Sequence, residues 1–323
     1  MKILGLLFVF VILIRAQAGE LRIGIVGLDG SHCIQFARLL QGKGNPEHVA
    51  GARIVAAFKG GSPDIASSAQ RVDGFARDLT GNYGVVLCNT IEEVAAQVDA
   101  VMILSIDGRT HLEQAKRVFP FHKPVFVDKP AAASLGDAIA LFKLAEENKV
   151  PCFTASSLRF GPAMDEAKRA PIGRVQSVFS YGSARTEPHH PDFFWYGIHP
   201  VEALYAVMGT GCKTIVRTHT DDVDVLTGVW ADGRTGTVRG SRNGSSQPGL
   251  VVFGTKGIVE KKPGGDYAPL LREIIRFFQT GIAPVPAKES IEVLAFMEAA
   301  DESKRQNGRP VALDQVMAAA LAR

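Results

Sequence analysis

Five short apolar runs, several of them followed by helical spacing or a helix-start signal, constrain the first half of this chain more than any other feature. Leu21–Val26 (LRIGIV) ends at Gly27 and is followed by Phe36, Leu39 and Leu40 at helical spacing. Residues 53–58 (RIVAAF), 84–87, 100–104 (AVMIL) and 124–127 are further runs of the same kind. Two intervening helices carry start signals: Thr90 with Glu93 three residues on is a capping box, and Ser134 with Asp137 is a weaker one. Unbroken apolar strands alternating with helices predict a parallel sheet covered on both faces, the doubly wound α/β arrangement. A chain of 323 residues with 46% hydrophobic and 21% charged residues has the length for about two domains and is not disordered.

The pattern changes near residue 150. Residues 175–184, 213–220, 223–230 and 235–240 are β-rich, with Asp232-Gly233 as a two-residue hairpin signal between the last two. Residues 250–255 and 257–261 follow, and two helices close the chain, one from Pro269 to Gly281 and one from near Ser290 to Gly308. The expected architecture is an N-terminal Rossmann domain over 19–150 and an α+β domain over 151–323 with a mainly antiparallel, one-faced sheet.

Ahead of both stands Lys2, an apolar run over 3–14, Arg15 and Ala16-Gln17-Ala18. These are the n-region, h-region and cleavage triplet of a secretory signal peptide. As a helix, such a run of twelve reaches about 18 Å, short of a hydrocarbon core of roughly 30 Å. The expectation is removal of 1–18, export to the periplasm or medium, and no stable membrane anchor. Loss of Lys2 and Arg15 lowers the formal charge from +3 to +1, which excludes the basic excess of a nucleic-acid binder. Cys33, Cys88, Cys152 and Cys212 are far apart and form no ligand motif.

Several motifs in order resemble the glucose–fructose oxidoreductase, inositol dehydrogenase and MocA-type (Gfo/Idh/MocA) oxidoreductases. Residues 125–130 (VFVDKP) are similar to the family's V-x-V-E-K-P, 159–162 (RFGP) to its R-F-x-P, and 197–199 (GIH) to its G-V-H before a helix. Residues 253–257 (FGTKG) and 296–300 (FMEAA), with Ser303-Lys304, also fit, and Ser105 and His111 occupy the places of a T-P-x-x-x-x-H stretch. The resemblance runs from about Leu21 to Leu313. It implies a nicotinamide-dependent oxidoreductase of sugars or cyclitols whose C-terminal sheet is both pocket wall and subunit contact, hence a homo-oligomer. It also implies that Lys129 is catalytic and that Asp128 holds the nicotinamide side.

The residues themselves depart from that pattern in places. A dinucleotide fingerprint wants glycine where backbone meets pyrophosphate and where helix meets strand. In Gly27-Leu28-Asp29-Gly30-Ser31-His32 those places hold Gly27, Asp29 and His32, with Gly30 one position late. A carboxylate about 4 Å from a phosphate would cost about 4 kcal/mol at an effective dielectric of 20. Asp29 is therefore expected either to turn away and bond backbone amides or to mark a loop that holds something else. Amides at the helix start, with Ser31 and a protonated His32, still suit an anion. After the second strand Lys59 and Ser62 stand where an acid would bind a ribose 2′-hydroxyl, which tilts the choice from NAD toward NADP.

His199 precedes Pro200 at the start of a helix, where a positive helix end disfavours its charged form. A neutral imidazole there can take a hydroxyl proton as hydride leaves carbon. Members of the resembled family commonly carry Asp four residues earlier; here Trp195 stands there, offering a stacking face for a sugar ring with Tyr196 beside it. Arg159 is a candidate to grip a substrate carboxylate. His189, His190, Asp192 and His199 fit no established metal pattern, and no metal is expected. The leading function is NAD(P)-dependent oxidation of a sugar, polyol or cyclitol. The alternatives are an NAD-dependent glycoside hydrolase of the same fold and a non-catalytic sugar-binding protein with a degenerate cofactor site.

Overall fold

The computed structural model describes residues 19–322, so the expected signal segment lies outside the described residues. The first sheet holds six strands: β1 (Leu21–Val26), β2 (Ala52–Phe58), β3 (Val86–Cys88), β4 (Ala100–Ile103), β5 (Val125–Val127) and β6 (Cys152–Phe153). All its pairings are parallel, in the order β3-β2-β1-β4-β5-β6. Helices α1 (Ser31–Gln41), α2 (Ala66–Tyr83), α3 (Ile91–Ala96), α4 (His111–Val118) and α5 (Leu135–Glu147) connect them and cover both faces. Strand order reverses between β1 and β4, which leaves a crevice at the carboxyl ends of those strands.

Both expected caps are made. Thr90 Oγ1 accepts from the Glu93 amide at 3.1 Å, while Glu93 accepts from the Asn89 amide at 2.8 Å. Ser134 Oγ accepts from the Asp137 amide at 3.0 Å. Such a cap is worth about 1 kcal/mol and fixes where the helix begins.

After one 3-10 turn at Ser157–Arg159 and α6 (Pro162–Arg169), the chain builds a second sheet. Its strands are β7 (Val175–Ser183), β8 (Cys212–His219), β9 (Val223–Trp230), β10 (Thr235–Ser241), β11 (Gly249–Gly254) and β12 (Gly257–Lys261). Helix α7 (Ile198–Met208) precedes β8, and α8 (Ala268–Thr280), α9 (Ala287–Arg305), β13 (Val311–Ala312) and α10 (Leu313–Leu321) end the chain. The order is β12-β11-β7-β10-β9-β8-β13, antiparallel except for the β10–β7 pair. The Asp232-Gly233 turn joins β9 to β10, with Gly233 at φ 85° where a side chain would be strained.

One face of this sheet is core: Val178, Leu226, Val238 and Leu250 pack with Leu204 and Phe296 from α7 and α9. The opposite face carries Phe179, Tyr181, Phe253 and Ile258 half-buried or exposed, the one-faced alternation that the sequence predicts.

The division near residue 150 is not a clean cut in space. β6 lies beyond it yet closes the first sheet, and α8 returns from the C-terminal half to that sheet's surface. Leu271, Ile274 and Phe277 of α8 share one core with Ile23, Phe36, Phe126 and Phe153. The apolar stripe on α8 states that a face is buried, but not against which sheet.

Candidate active site

Strand β5 is wholly buried and ends at the crevice, so Asp128 and Lys129 emerge there together. Asp128 is 4% exposed; its Oδ1 accepts from the Lys129 amide at 2.8 Å, and its Oδ2 lies 2.8 Å from His32 Nδ1. His32 sits in the first turn of α1, and the Tyr267 ring meets it edge-on at 4.7 Å. Burial pushes the Asp128 carboxyl up, but His32 and Lys129 outweigh it and bring its pKa to about 2.

Lys129 Nζ stands 5.9 Å over the Tyr196 ring, whose centroid is 5.8 Å from that of His199. His199 lies in the first turn of α7, with Nδ1 2.7 Å from Ser156 Oγ, a hydroxyl that also accepts from the Leu158 amide at 3.2 Å. Burial, then the nearby Lys129 and His32, hold the His199 pKa well below that of a free histidine, while Asp128 pulls the other way. The result is a neutral imidazole and a cation that both border one aromatic ring, at the end of β5.

The β1–α1 loop resolves the question posed by its acid. Asp29 is fully buried: Oδ2 accepts from the Ser68 hydroxyl at 2.6 Å and Oδ1 from the Ile106 amide at 3.1 Å. The carboxylate is turned into the protein, tying the loop to α2 and to the end of β4. Gly27 has φ 93°, and a methyl group there would run into the Ser105 backbone and hydroxyl. Gly30 precedes α1 in extended conformation with no side-chain cap, so the Ser31 and His32 amides remain for an anion while the Cys33 amide bonds the Gly30 carbonyl at 3.4 Å. Glycine where the backbone must pass closely, an open helix start and an inward-turned acid fit the pyrophosphate of a dinucleotide. Gly27 and Leu28 contribute shape only, since their amides bond the Phe58 and Lys59 carbonyls at 3.0 and 2.9 Å.

Several expected ligand residues serve other partners. Lys59 ion-pairs with Asp73 on the surface and Ser62 is buried with its hydroxyl donating to Asp107 at 2.6 Å, so the two do not form a 2′-phosphate pocket. Ser105 accepts from Gln114 at 2.7 Å and packs on Gly27. His111 is buried, its Nδ1 and Nε2 at 3.0 and 2.8 Å from the Pro130 and Ser105 carbonyls, where it braces the β4 and β5 ends. Asp128 meets His32 with one oxygen and the Lys129 amide with the other.

The substrate-side residues are corrected in the same way. Arg159 is buried between Glu202, at 2.8 Å, and Glu289, where it staples α7 to α9 instead of facing the crevice. Trp195 is 8% exposed and packs on His190 at 4.6 Å, so the aromatic face offered outward is that of Tyr196, 39% exposed. The four residues weighed as a metal set diverge: His189 meets Glu187, His190 reaches Asp107, Asp192 reaches Arg217, and His199 reaches Ser156.

Sequence reasoning missed Ser156, Ser68, Asp107 and Tyr267. Asp107 accepts from Ser62 and Arg109 and meets His190 at 3.2 Å, so it latches the β2 and β4 loops to the 186–196 segment. Ser156 to His199, Ser68 to Asp29, Asp107 to Ser62 and His190, and Tyr267 to His32 each span at least 39 positions, and no local spacing signals them. The one available hint was paired departure: histidine in place of the last fingerprint glycine, and aspartate in place of glutamate before Lys129.

Comparison with known proteins agrees with this geometry. Residues 21–156 match the model of an oxidoreductase family with an NAD-binding Rossmann fold. An uncharacterized oxidoreductase of Escherichia coli, YhhX, is 28% identical over 132 residues, which are 37% of this chain and 38% of that protein. The match thus spans well under half of that relative. Among solved structures, myo-inositol 2-dehydrogenase from Lactobacillus plantarum superposes with a TM-score of 0.74 at 17% identity, covering 91% of this chain and 99% of the other. Myo-inositol dehydrogenase from Lactobacillus casei, in complex with NAD(H) and myo-inositol, gives 0.71 at 15% identity over 90% and 96%. These likenesses establish the two-domain fold.

Proposed function

We propose, since residues 21–156 match the model of the Gfo/Idh/MocA oxidoreductase family, that the whole chain is an NAD(P)-dependent oxidoreductase of a sugar, polyol or cyclitol. The observation that carries this reading is the convergence of Lys129, neutral His199 and exposed Tyr196 at the carboxyl end of β5, beside an open helix start. The dinucleotide would lie against Gly27, Gly30 and the first amides of α1, and when bound it supplies a hydride acceptor. His199 takes the substrate hydroxyl proton; when its Nδ1–H donates to Ser156, its Nε2 lone pair is left for that work. Lys129 stabilises the developing alkoxide as a cation, and Tyr196 offers a ring face to a sugar-like substrate.

The cyclitol-bound neighbour supports the substrate class by fold and the crevice supports it by chemistry. Export through the N-terminal segment belongs to the same proposal, as does assembly into a homo-oligomer through the open face of the second sheet, where Val229 and Ile258 stand exposed.

The test is nicotinamide absorbance at 340 nm with a panel of inositols, polyols and aldoses. Net reduction of NAD or NADP is expected, with kcat/KM falling by about 10²- to 10⁴-fold in K129A and in H199A. Release of an aglycone at constant absorbance would replace oxidation by hydrolysis, and sugar binding unaffected by K129A with no nucleotide bound would leave a binding protein.

A further inference from the structure

A dinucleotide on a doubly wound sheet runs from the end of β2, where its ribose is held, across the β1–α1 turn to the crevice beside β4. In this protein the chain itself crosses that track. The β2–α2 loop leaves the sheet at Lys59, turns at Gly60 (φ 59°) and Gly61 (φ 107°), and reaches the β4–α4 loop on the other side of β1. Ser62 Oγ donates to Asp107 Oδ2 at 2.6 Å, and Arg109 bridges Asp64 at 2.9 Å and Asp107 at 2.8 Å. Ser62 and Asp107 are 6% and 1% exposed, so the inner bond lies away from water and the Arg109 bridge forms its outer edge. Beneath these contacts the backbone expected to meet pyrophosphate is covered: of residues 27–32, Ser31 alone is exposed. Gly27 is held between the two loops, since a methyl group on Gly60 would come within 3.3 Å of its Cα and one on Gly27 would strike Ser105. The β4–α4 loop is tied in turn to the second domain, where the Gly108 amide donates to His190 Nε2 at 3.2 Å.

We propose that Ser62, Asp64, Asp107 and Arg109 form a clasp that shuts the dinucleotide track, and that the β2–α2 loop swings away before NAD or NADP binds. The inference rests on the reading of the first domain as a nucleotide site and adds a regulation of that site. The hold across β1 is made by side chains at loop ends. A hinge at Gly60 and Gly61, whose positive φ angles suit glycine, frees residues 62–64 without unpairing β2 from β1. A closed state that excludes the ligand lowers apparent affinity by the fraction of molecules that are open. Breaking the clasp must therefore tighten binding, whereas deleting a residue that touches the nucleotide would weaken it.

The experiment is calorimetric titration of the protein with NAD and with NADP, paired with hydrogen exchange read by mass spectrometry before nucleotide is added. S62A deletes a buried hydrogen bond to a carboxylate, so it should lower Kd by about tenfold or more and speed exchange over residues 59–65 and 105–110. D64A cuts only the partly exposed bridge to Arg109 and should lower Kd about twofold. An unchanged or raised Kd in folded S62A, or exchange no faster than in the wild type, overturns the clasp. Should S62A fail to fold, an unchanged or raised Kd in D64A overturns it instead. Nicotinamide reduction by the wild type beside either of those results leaves the oxidoreductase reading intact. Failure of every protein, S62A included, to take up NAD or NADP would refute the nucleotide site and the clasp with it.

Discussion

Two regions of this protein bury ionisable side chains, and they do so to opposite ends. In the C-terminal domain, Arg217 is 1% exposed and meets Asp192 and Asp224 at 2.7 Å each, with Asp301 on its third nitrogen. Arg242 bridges Asp192 and Asp224, and Lys304 meets Asp192 at 2.6 Å. Three cations face three carboxylates there, with His219 at the rim. The charges close on themselves and tie β8, β9 and α9 to the loop before α7. In the crevice, one carboxylate serves His32 while Lys129 and neutral His199 are left over. Saturation makes a buried lattice structural; an uncancelled remainder makes a site chemical.

That contrast predicts where substitutions act. The largest effect on folding should come from R217A, which strands buried Asp301 and takes one of the cations from Asp192 and from Asp224. Loss of about 3–5 kcal/mol and a fall in Tm on the order of 10 °C are expected by calorimetry. An unchanged Tm would mean that the lattice is decoration.

The crevice should be felt through pH. Asp128 has a folded pKa of about 2 against 3.8 for the free side chain. The unfolded chain takes up this proton first as pH falls, so its stabilisation is full above pH 4 and is lost between pH 4 and 2. About 2 kcal/mol is at stake, and D128N should flatten denaturation curves over that interval. Asp301 has the opposite sign: burial first, then nearby Asp192 and Glu298, raise it to about 7 against the pull of Arg217. The native state holds that proton longer, so the Asp301 contribution falls as pH rises from 4 to 7, and D301N should remove that slope.

A smaller effect separates an inward acid from one that faces phosphate. Because Ser68 and Ile106 already satisfy Asp29, D29N should change dinucleotide affinity by less than about fivefold in calorimetric titration. A carboxylate aimed at pyrophosphate would give an improvement of roughly a thousandfold. The smallest effect belongs to K59A: its partner Asp73 is on the surface, and a change within about 0.5 kcal/mol is expected in both stability and the preference between NAD and NADP.

Much of the fold was legible because it is local. The edges of β1, β9 and β12, the Thr90 and Ser134 caps and the turn at Gly233 are governed by residues within a few positions of one another. The placing of Lys129 and His199 at a crevice was legible too, since strand ends and helix starts carry side chains with them. The partners were not. Arg159 and Trp195 have the composition of ligand-binding residues, yet one is consumed by Glu202 and Glu289 and the other by His190.

From the chain alone came the alternation that dictates a doubly wound sheet, the change of pattern that starts a second one, and the glycines that let backbone approach backbone. Tertiary structure decided which charges cancel. It turned Asp29 inward, gave Asp128 to His32, returned α8 to the first sheet and left His199 without a counter-charge of its own. The physical reason is range: torsional preference and hydrophobic periodicity act over a few residues, whereas the cost of a buried charge depends on whatever the fold brings within a few ångströms.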